Sequence, residues 1–320
     1  MTRLNALLLA ALAIACCLSV MAGKVLVPWD AWSSADPRSI IIVELRVPRT
    51  ILAVLVGAAL GLSGAVMQGY LRNPLADPGL FGVSSGAALG AVLSLYFGFA
   101  AQLWLLPAFA LAGAAGTTAL LALIAGRSGS LILFTLAGMI LTSIAGSMTA
   151  LAISLAPTPF VSSQIVTWLM GALTDRSWDD VRVALPLIVL GAAVLASTGR
   201  ALDALTLGEQ AARSMGVAPG RLQAKVIIGI ALMVGAAVAS AGVIGFVGLM
   251  VPHLVRPLAG NRPSAILLPS ALGGALLLTL ADILVRIAPT VSELRLGIAM
   301  SMLGGPFFFH LLIRLRRRLA

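Results

Sequence analysis

The sequence predicts an all-α polytopic membrane protein with about ten transmembrane helices. Three observations predict it. Of 320 residues, 60% are hydrophobic and only 10% charged, where soluble domains carry about 25% charged residues. Such a chain has too little polar surface to cover itself in water and too much apolar surface to stay disordered. The apolar runs reach the roughly 20 residues that a membrane helix needs, far beyond the ~10-residue alternating strands of a barrel. Finally, 33 glycines and a mean hydropathy of +1.08 suit closely packed apolar helices.

The expected spans, in order, are 4–24, 50–70, 81–100, 103–126, 131–155, 181–199, 224–243, 244–258, 265–288 and 295–314. The first follows Arg3 and reads as an uncleaved helix; a signal peptide looks similar but needs less apolar length. Adjacent Cys16 and Cys17 lie inside it and form no disulfide framework. Breaks fall at Asn73-Pro74, Asp77-Pro78-Gly79, Pro157 to Pro159 and Ala288-Pro289. No polar loop separates the seventh and eighth spans, so the division is placed at Gly242–Gly248, where small residues permit a turn. The eighth span is then short. Residues 156–180 form a longer connection, with a short interfacial helix expected over Thr167–Leu173.

Charge placement tests this topology. With an even span count and both termini on one side, that side carries thirteen bases against three acids, Asp77, Asp203 and Glu209; the other carries eight of each. The whole net charge of +10 falls on one face, which the positive-inside rule makes cytoplasmic. The basic balance is thus a topology signal, and nucleic-acid binding is not needed to explain it. Membrane lipid is the expected surrounding.

Residues 50–71, 79–126, 128–174 and 226–252 contain no Asp, Glu, Lys, Arg or His; Arg72 and Asp77 stand between the first two stretches and Arg127 between the second and third. Ion-coupled carriers place ionisable groups at mid-membrane, so an ion-driven secondary transporter is disfavoured. No Gly-rich phosphate loop ending in Gly-Lys-Ser/Thr is present, so energy for active transport comes from a separate ATPase. Gly57, Gly61 and Gly64, and Gly82, Gly86 and Gly90, recur on helix faces; the reading is close helix packing, the alternative a smooth surface for a sliding substrate. Gly61-Leu62-Ser63-Gly64 matches the Gly-x-Ser-Gly signature of rhomboid-type proteases. That chemistry needs a histidine at the serine's depth, and His253 and His310 read as helix-end residues. The chain is therefore expected to be no enzyme, with no catalytic residue, metal or cofactor. The largest cytoplasmic loop, 200–223, contains Gly208, Glu209, Ala211, Ala212, Arg213 and Gly216 in a helix-compatible segment that a soluble partner can grip.

Several long stretches resemble one family. Leu45-Arg46-Val47-Pro48-Arg49-Thr50, Gly57 to Gln68, Asn73-Pro74-Leu75-Ala76-Asp77-Pro78-Gly79 and Gly82-Val83-Ser84-Ser85-Gly86 resemble the FecCD-type permeases. So do Leu207-Gly208-Glu209, Gly245 to His253 with Arg256, Ala281-Asp282 with Arg286, Glu293-Leu294 and Gly304-Gly305-Pro306-Phe307-Phe308. These are membrane subunits of ABC importers for iron–siderophores, haem and vitamin B12. The resemblance implies a type II ABC importer architecture in the bacterial inner membrane, one permease domain over 1–320, both termini cytoplasmic. It implies a homodimer, two cytoplasmic ATPase subunits and a periplasmic substrate-binding protein. In the B12 importer, periplasmic arginines receive glutamates of the binding protein; the matching positions are Arg46, Arg49 and Arg286. Gly208–Gly216 resembles the coupling helix that sits in the ATPase, and Asn73 and Leu75 lie in a turn resembling a cytoplasmic gate. A second gate, before the fifth helix, is not matched by Gly126-Arg127-Ser128-Gly129-Ser130. Iron–siderophore is the expected cargo, with haem or cobalamin as alternatives.

Overall fold

The computed structural model of the chain describes residues 3–24, 27, 36, 38–99, 102, 104–125, 131–290 and 292–319. Among these there is no strand. The helices are α1 (Arg3–Met21), α2 (Val47–Leu71), α3 (Val83–Tyr96), α4 (Leu105–Ala125), α5 (Leu131–Ser154), α6 (Pro159–Leu169), α7 (Trp178–Ala196), α8 (Gly199–Leu205), α9 (Glu209–Ser214), α10 (Pro219–Ala241), α11 (Val247–Ala259), α12 (Pro263–Ile287) and α13 (Leu296–Leu319). Each expected span contains one of them. Six are long and apolar enough to cross a membrane, and α7 with α8 forms a seventh span bent by 42°. The other three, α3, α11 and the apolar part of α13, are shorter than a bilayer is thick.

α2 is the hub. It packs on α12 along most of its length, and on α10, α11 and α7. Glycine makes the α2–α12 approach close: a Cβ added at Gly57 would lie 2.3 Å from the Gly274 carbonyl oxygen, and one at Gly61 2.2 Å from that of Ser270. Without side chains there, the two backbones touch and dispersion contacts accumulate along the seam. The α3–α4 pair repeats the device, with Gly86 and Gly90 against Gly113 and the Phe109 carbonyl. The packing reading of both glycine series therefore holds, except that Gly82 is no part of the helix face; it caps α3 with φ 80°. By contrast α1, α4 and α5 keep most of their apolar surface outward, as lipid-facing helices do.

Local signals explain most boundaries. A π-helical turn over Ile41–Arg46 runs without a break into α2, and Pro48, which has no N–H to give an α-helical ladder, stands just past that junction. α7 opens with a Ser177–Asp180 capping box, and Asp179 adds negative charge at the N-terminus. α10 ends at Gly242 (φ 71°), and α11 starts after Phe246 (φ 68°), so the division expected at 242–248 is present. The interfacial helix is not over Thr167–Leu173. It is α6, eight residues earlier at its start, because Thr158 accepts a hydrogen bond from the Val161 N–H and Pro159 fixes the first turn.

The chain after α2 departs most from expectation. Leu71 is followed by Arg72 in the left-handed region (φ 50°), and Asn73 Oδ1 accepts from the Leu75 N–H at 2.9 Å. The chain then folds back into the bundle. A Cβ added at Gly248 would lie 2.9 Å from Pro78 Cδ, 3.4 Å from Asp77 Oδ2 and 3.1 Å from the Leu60 carbonyl oxygen. Leu60 is near the middle of α2, about 16 Å from its C-terminal end at 1.5 Å per residue. Asp77 is thus inside the bundle, and its assignment to the cytoplasmic surface charge is corrected. Only after this re-entry does α3 begin, which is why α3 is short.

Candidate functional site

Two ends and one interior cavity hold the residues the sequence singled out. At one end, α1 finishes, α2 starts and α12 finishes. Arg46, Arg49 and Arg286 converge there, and they are buried. Arg49 forms a fork on Asp282, with Nη2–Oδ1 at 2.8 Å and Nε 3.1 Å from both oxygens. Its Nη2 also reaches Glu293 Oε2 at 2.9 Å, and Thr174 Oγ1 donates to the same oxygen at 3.0 Å. Arg286 pairs with Asp282 Oδ2 at 2.9 Å, one helical turn away, and donates to the Ser19 carbonyl at 2.9 Å and to the Ser19 hydroxyl. Arg46 donates to the Val20 and Met21 carbonyls at 3.1 and 2.9 Å. Arg46 and Arg286 thereby satisfy the open carbonyls at the C-terminus of α1. Gly23 leaves the room: a Cβ on it would lie 2.7 Å from Arg46 Nη2.

Asp282 is fully buried, and two guanidiniums compensate its charge. Burial works to raise the Glu293 carboxyl, but the Arg49 hydrogen bond and charge, with the Thr174 hydroxyl, outweigh it and hold that carboxyl below its usual range. The resemblance implies that these arginines receive glutamates of a binding protein. The structure instead turns them inward onto this chain's own acceptors. Asp282 and Glu293 were quoted as motif residues only; their role in the cluster had no sequence signal, because Arg49 and Asp282 lie 233 residues apart.

The opposite end holds the loop expected to be gripped by a partner. Gly208 (φ 100°) starts α9 and Gly216 (φ 86°) follows it. Ala212 is buried beneath, and Val217 N–H donates to the Ala212 carbonyl at 3.0 Å, closing the helix. Glu209 and Arg213 form an i,i+4 pair at 2.9 Å on the exposed face. Leu207 and Met215 stand 67% and 63% exposed on either side. The segment is a short, two-glycine-bounded helix with apolar flanks. Asn73 and Leu75 form a hydrogen-bonded turn; residues 126–130, where the second gate was sought, lie outside the described residues.

Between the ends is a cavity of about 250 Å³ where the re-entrant segment, α3, α5 and the α10–α11 break meet. Asp77, Ser84, Ser85 and Thr149 line it with oxygen, beside Gly146, Gly245 and Gly248. Asp77 Oδ1 accepts from the Gly79 N–H at 2.7 Å. Asp77 lies inside the bundle beside the middle of α2, where the sequence predicts no ionisable group, because a re-entrant turn and a surface turn have the same hydropathy. Gln68 closes the seam between α2 and α11, donating to the Leu249 carbonyl at 3.2 Å and accepting from Arg256 Nη2 at 2.9 Å.

The protease arrangement is not assembled. Ser63 is fully buried and its hydroxyl has no hydrogen-bond partner, so no base activates it. The His253 ring packs edge-on to Phe307 at 6.0 Å. Among the described residues no group of three His, Cys, Asp or Glu side chains is placed to hold a metal.

Comparison with known proteins follows the same outline. Residues 11–314 match the model of the FecCD transport family. The chain is 36% identical over 311 residues to the Fe(3+) dicitrate transport system permease protein FecD of Escherichia coli (strain K12), covering 95% of this chain and 97% of that one. It is 38% identical over 303 residues to the vitamin B12 import system permease protein BtuC of Salmonella typhi, covering 94% and 91%. Its fold overlays on a solved inward-facing conformation of a metal-chelate type ABC transporter with a TM-score of 0.89, at 32% identity, covering 98% of this chain and 100% of that one.

Proposed function

The chain belongs to the FecCD transport family and is a permease subunit of an ABC importer; on that premise we propose that it moves a ferric chelate of the iron–siderophore class across the bacterial inner membrane by alternating access. The observation that carries the cargo is the match, over nearly the full length, to a ferric dicitrate permease and to a metal-chelate type transporter. The equally extensive match to BtuC supports cobalamin as the second reading. Uptake into vesicles bearing this chain, its ATPase and its binding protein tests the choice. Ferric siderophore, haem and cobalamin are offered in parallel; accumulation of ferric siderophore alone is expected, and accumulation of cobalamin or haem instead overturns the cargo.

The proposed assembly is a homodimer with two cytoplasmic ATPases and a periplasmic binding protein, in one permease domain over 1–320 with both termini cytoplasmic. α9 and its flanks Leu207 and Met215 offer the ATPase a grip: exposed apolar groups on a rigid, glycine-bounded helix transmit a push better than a loose loop. α8 and α9 pack together, and α8 packs on α2 and α12, so a push on α9 reaches the hub. The Asn73–Leu75 turn and the re-entrant segment then form the cytoplasmic side of the gate. A nucleotide-driven change works only through different affinity for the two states, and the ATPase supplies that difference.

Docking of the binding protein is assigned to the arginine end. The buried cluster of Arg46, Arg49 and Arg286 outnumbers Asp282 and Glu293 by one charge, an excess confined to the cluster. In this conformation a docking glutamate must compete with Glu293 for Arg49, since the fork onto Asp282 is sealed. Arg46→Glu with Arg49→Glu is expected to weaken docking in a salt-sensitive way; docking of unchanged affinity overturns the assignment.

A further inference from the structure

Two adjoining clefts flank the first turn of α10. One, of about 390 Å³, lies between α7, α8 and α10 and is lined by Arg200, Arg221, Lys225, Ser197 and Thr198, with Lys225 Nζ donating to Ser197 Oγ at 3.1 Å. The other, of about 940 Å³, lies between the end of α4 and α10 and is lined by Leu123, Gln223, Ile227 and again Arg221. Arg221 and Ala218 belong to both, so the clefts meet.

Three features meet at this place. First, no acid lines the clefts, and none of the three cations forms an ion pair among the described residues. The neighbouring acids are engaged elsewhere: Asp203 accepts from the Ser264 N–H and hydroxyl at 2.9 and 2.5 Å, and Glu209 pairs with Arg213. Second, Gln223 is 2% exposed, lines the second cleft, and neither its amide nitrogen nor its amide oxygen has a hydrogen-bond partner. A buried, unpaired amide costs about 1–3 kcal/mol, which a ligand with both donors and acceptors removes. Third, the surface running from the clefts along the helices is apolar: Leu120, Leu123 and Ile124 on α4, Val189 and Leu190 on α7, and Ile228 on α10 are all exposed.

We propose that these clefts hold an anionic glycerophospholipid, with Arg200, Arg221 and Lys225 on its phosphate, Gln223 on its hydroxylated headgroup, and its acyl chains along the exposed apolar faces of α4, α7 and α10. Cations at the water–bilayer boundary, unsatisfied amide and apolar ribs together match the three parts of such a lipid. A soluble protein partner matches only the cations, because the ribs lie on spans. The site also abuts α9 through Met215 and Gly216. Bound lipid therefore braces the segment assigned to the ATPase.

Native mass spectrometry of the delipidated full chain, titrated with phosphatidylglycerol or phosphatidylcholine, tests this. Retention of phosphatidylglycerol well above phosphatidylcholine is expected. Each of Arg200→Gln, Arg221→Gln and Lys225→Gln is expected to lower that retention about fivefold, leaving phosphatidylcholine unchanged. Arg200→Lys with Arg221→Lys keeps the charge and most of the preference, which separates loss of the site from loss of fold. Inorganic phosphate at equal concentration is expected not to displace the lipid. Equal retention of both lipids, no effect of the glutamine variants, or displacement by inorganic phosphate would each overturn the assignment. The readout is independent of uptake, so its failure leaves the transport reading standing.

Discussion

Arg49 joins α2 to α12 through Asp282, a carboxylate with no solvent exposure. Removing Arg49 leaves buried Asp282 with Arg286 alone and takes from Glu293 its ion partner, at a cost below the roughly 3–5 kcal/mol of a buried charge left wholly unpaired. Arg49→Ala is therefore expected to lower the thermal unfolding midpoint of the detergent-solubilised chain sharply. Arg49→Lys recovers only part, since an ammonium cannot form the fork. A midpoint unchanged in Arg49→Ala contradicts the role. Glu293 adds a pH signature. Its carboxyl is held below its usual range in the folded state, so its contribution is present above its unfolded value of about 4.3 and is lost as pH falls through the lower folded value. Melting from pH 6 down to pH 3 is expected to show this acid-side loss, and Glu293→Gln to flatten it. Neither residue's partner was legible in the sequence: a motif gives residue types, and only the fold brings positions 49, 174, 282, 286 and 293 together. Asp77 was misplaced for a related reason, since the turn that returns it to the bundle looks like any polar break.

At the scale of elements, the α2–α12 seam depends on the missing side chains of Gly57, Gly61 and Gly274. Gly61→Val must push the Ser270 backbone aside and is expected to cost about 1–3 kcal/mol or more, whereas Gly116→Ala, with no atom within 4 Å of the new Cβ, is expected to be neutral or slightly stabilising. Comparing the two melting midpoints checks it; equal midpoints contradict the close-approach account. Spans were legible because a bilayer imposes length and composition on each of them. The α10–α11 division was legible because Gly242 supplies the left-handed turn that ends α10. α6 was misplaced although its signal, Thr158 before Pro159, was present; it had been read as a break when it is a helix start.

For the whole molecule, the account is that an external ATPase drives this bundle through α9. Orientation follows from charge: both termini and the basic face are expected on the cytoplasmic side. Single cysteines introduced at Met215 and at Lys24 in a chain lacking Cys16 and Cys17 are expected to react with an impermeant thiol reagent from opposite sides of the membrane; labelling from the same side contradicts the span count. The central claim is tested most directly by uptake in vesicles containing the chain, its ATPase and its binding protein, with ATP present or absent and with Gly208–Gly216 deleted. The account predicts cargo uptake that requires ATP and the binding protein and vanishes in the deletion while ATP hydrolysis continues. Uptake that ignores ATP and follows a proton or sodium gradient, or that survives the deletion, would contradict it.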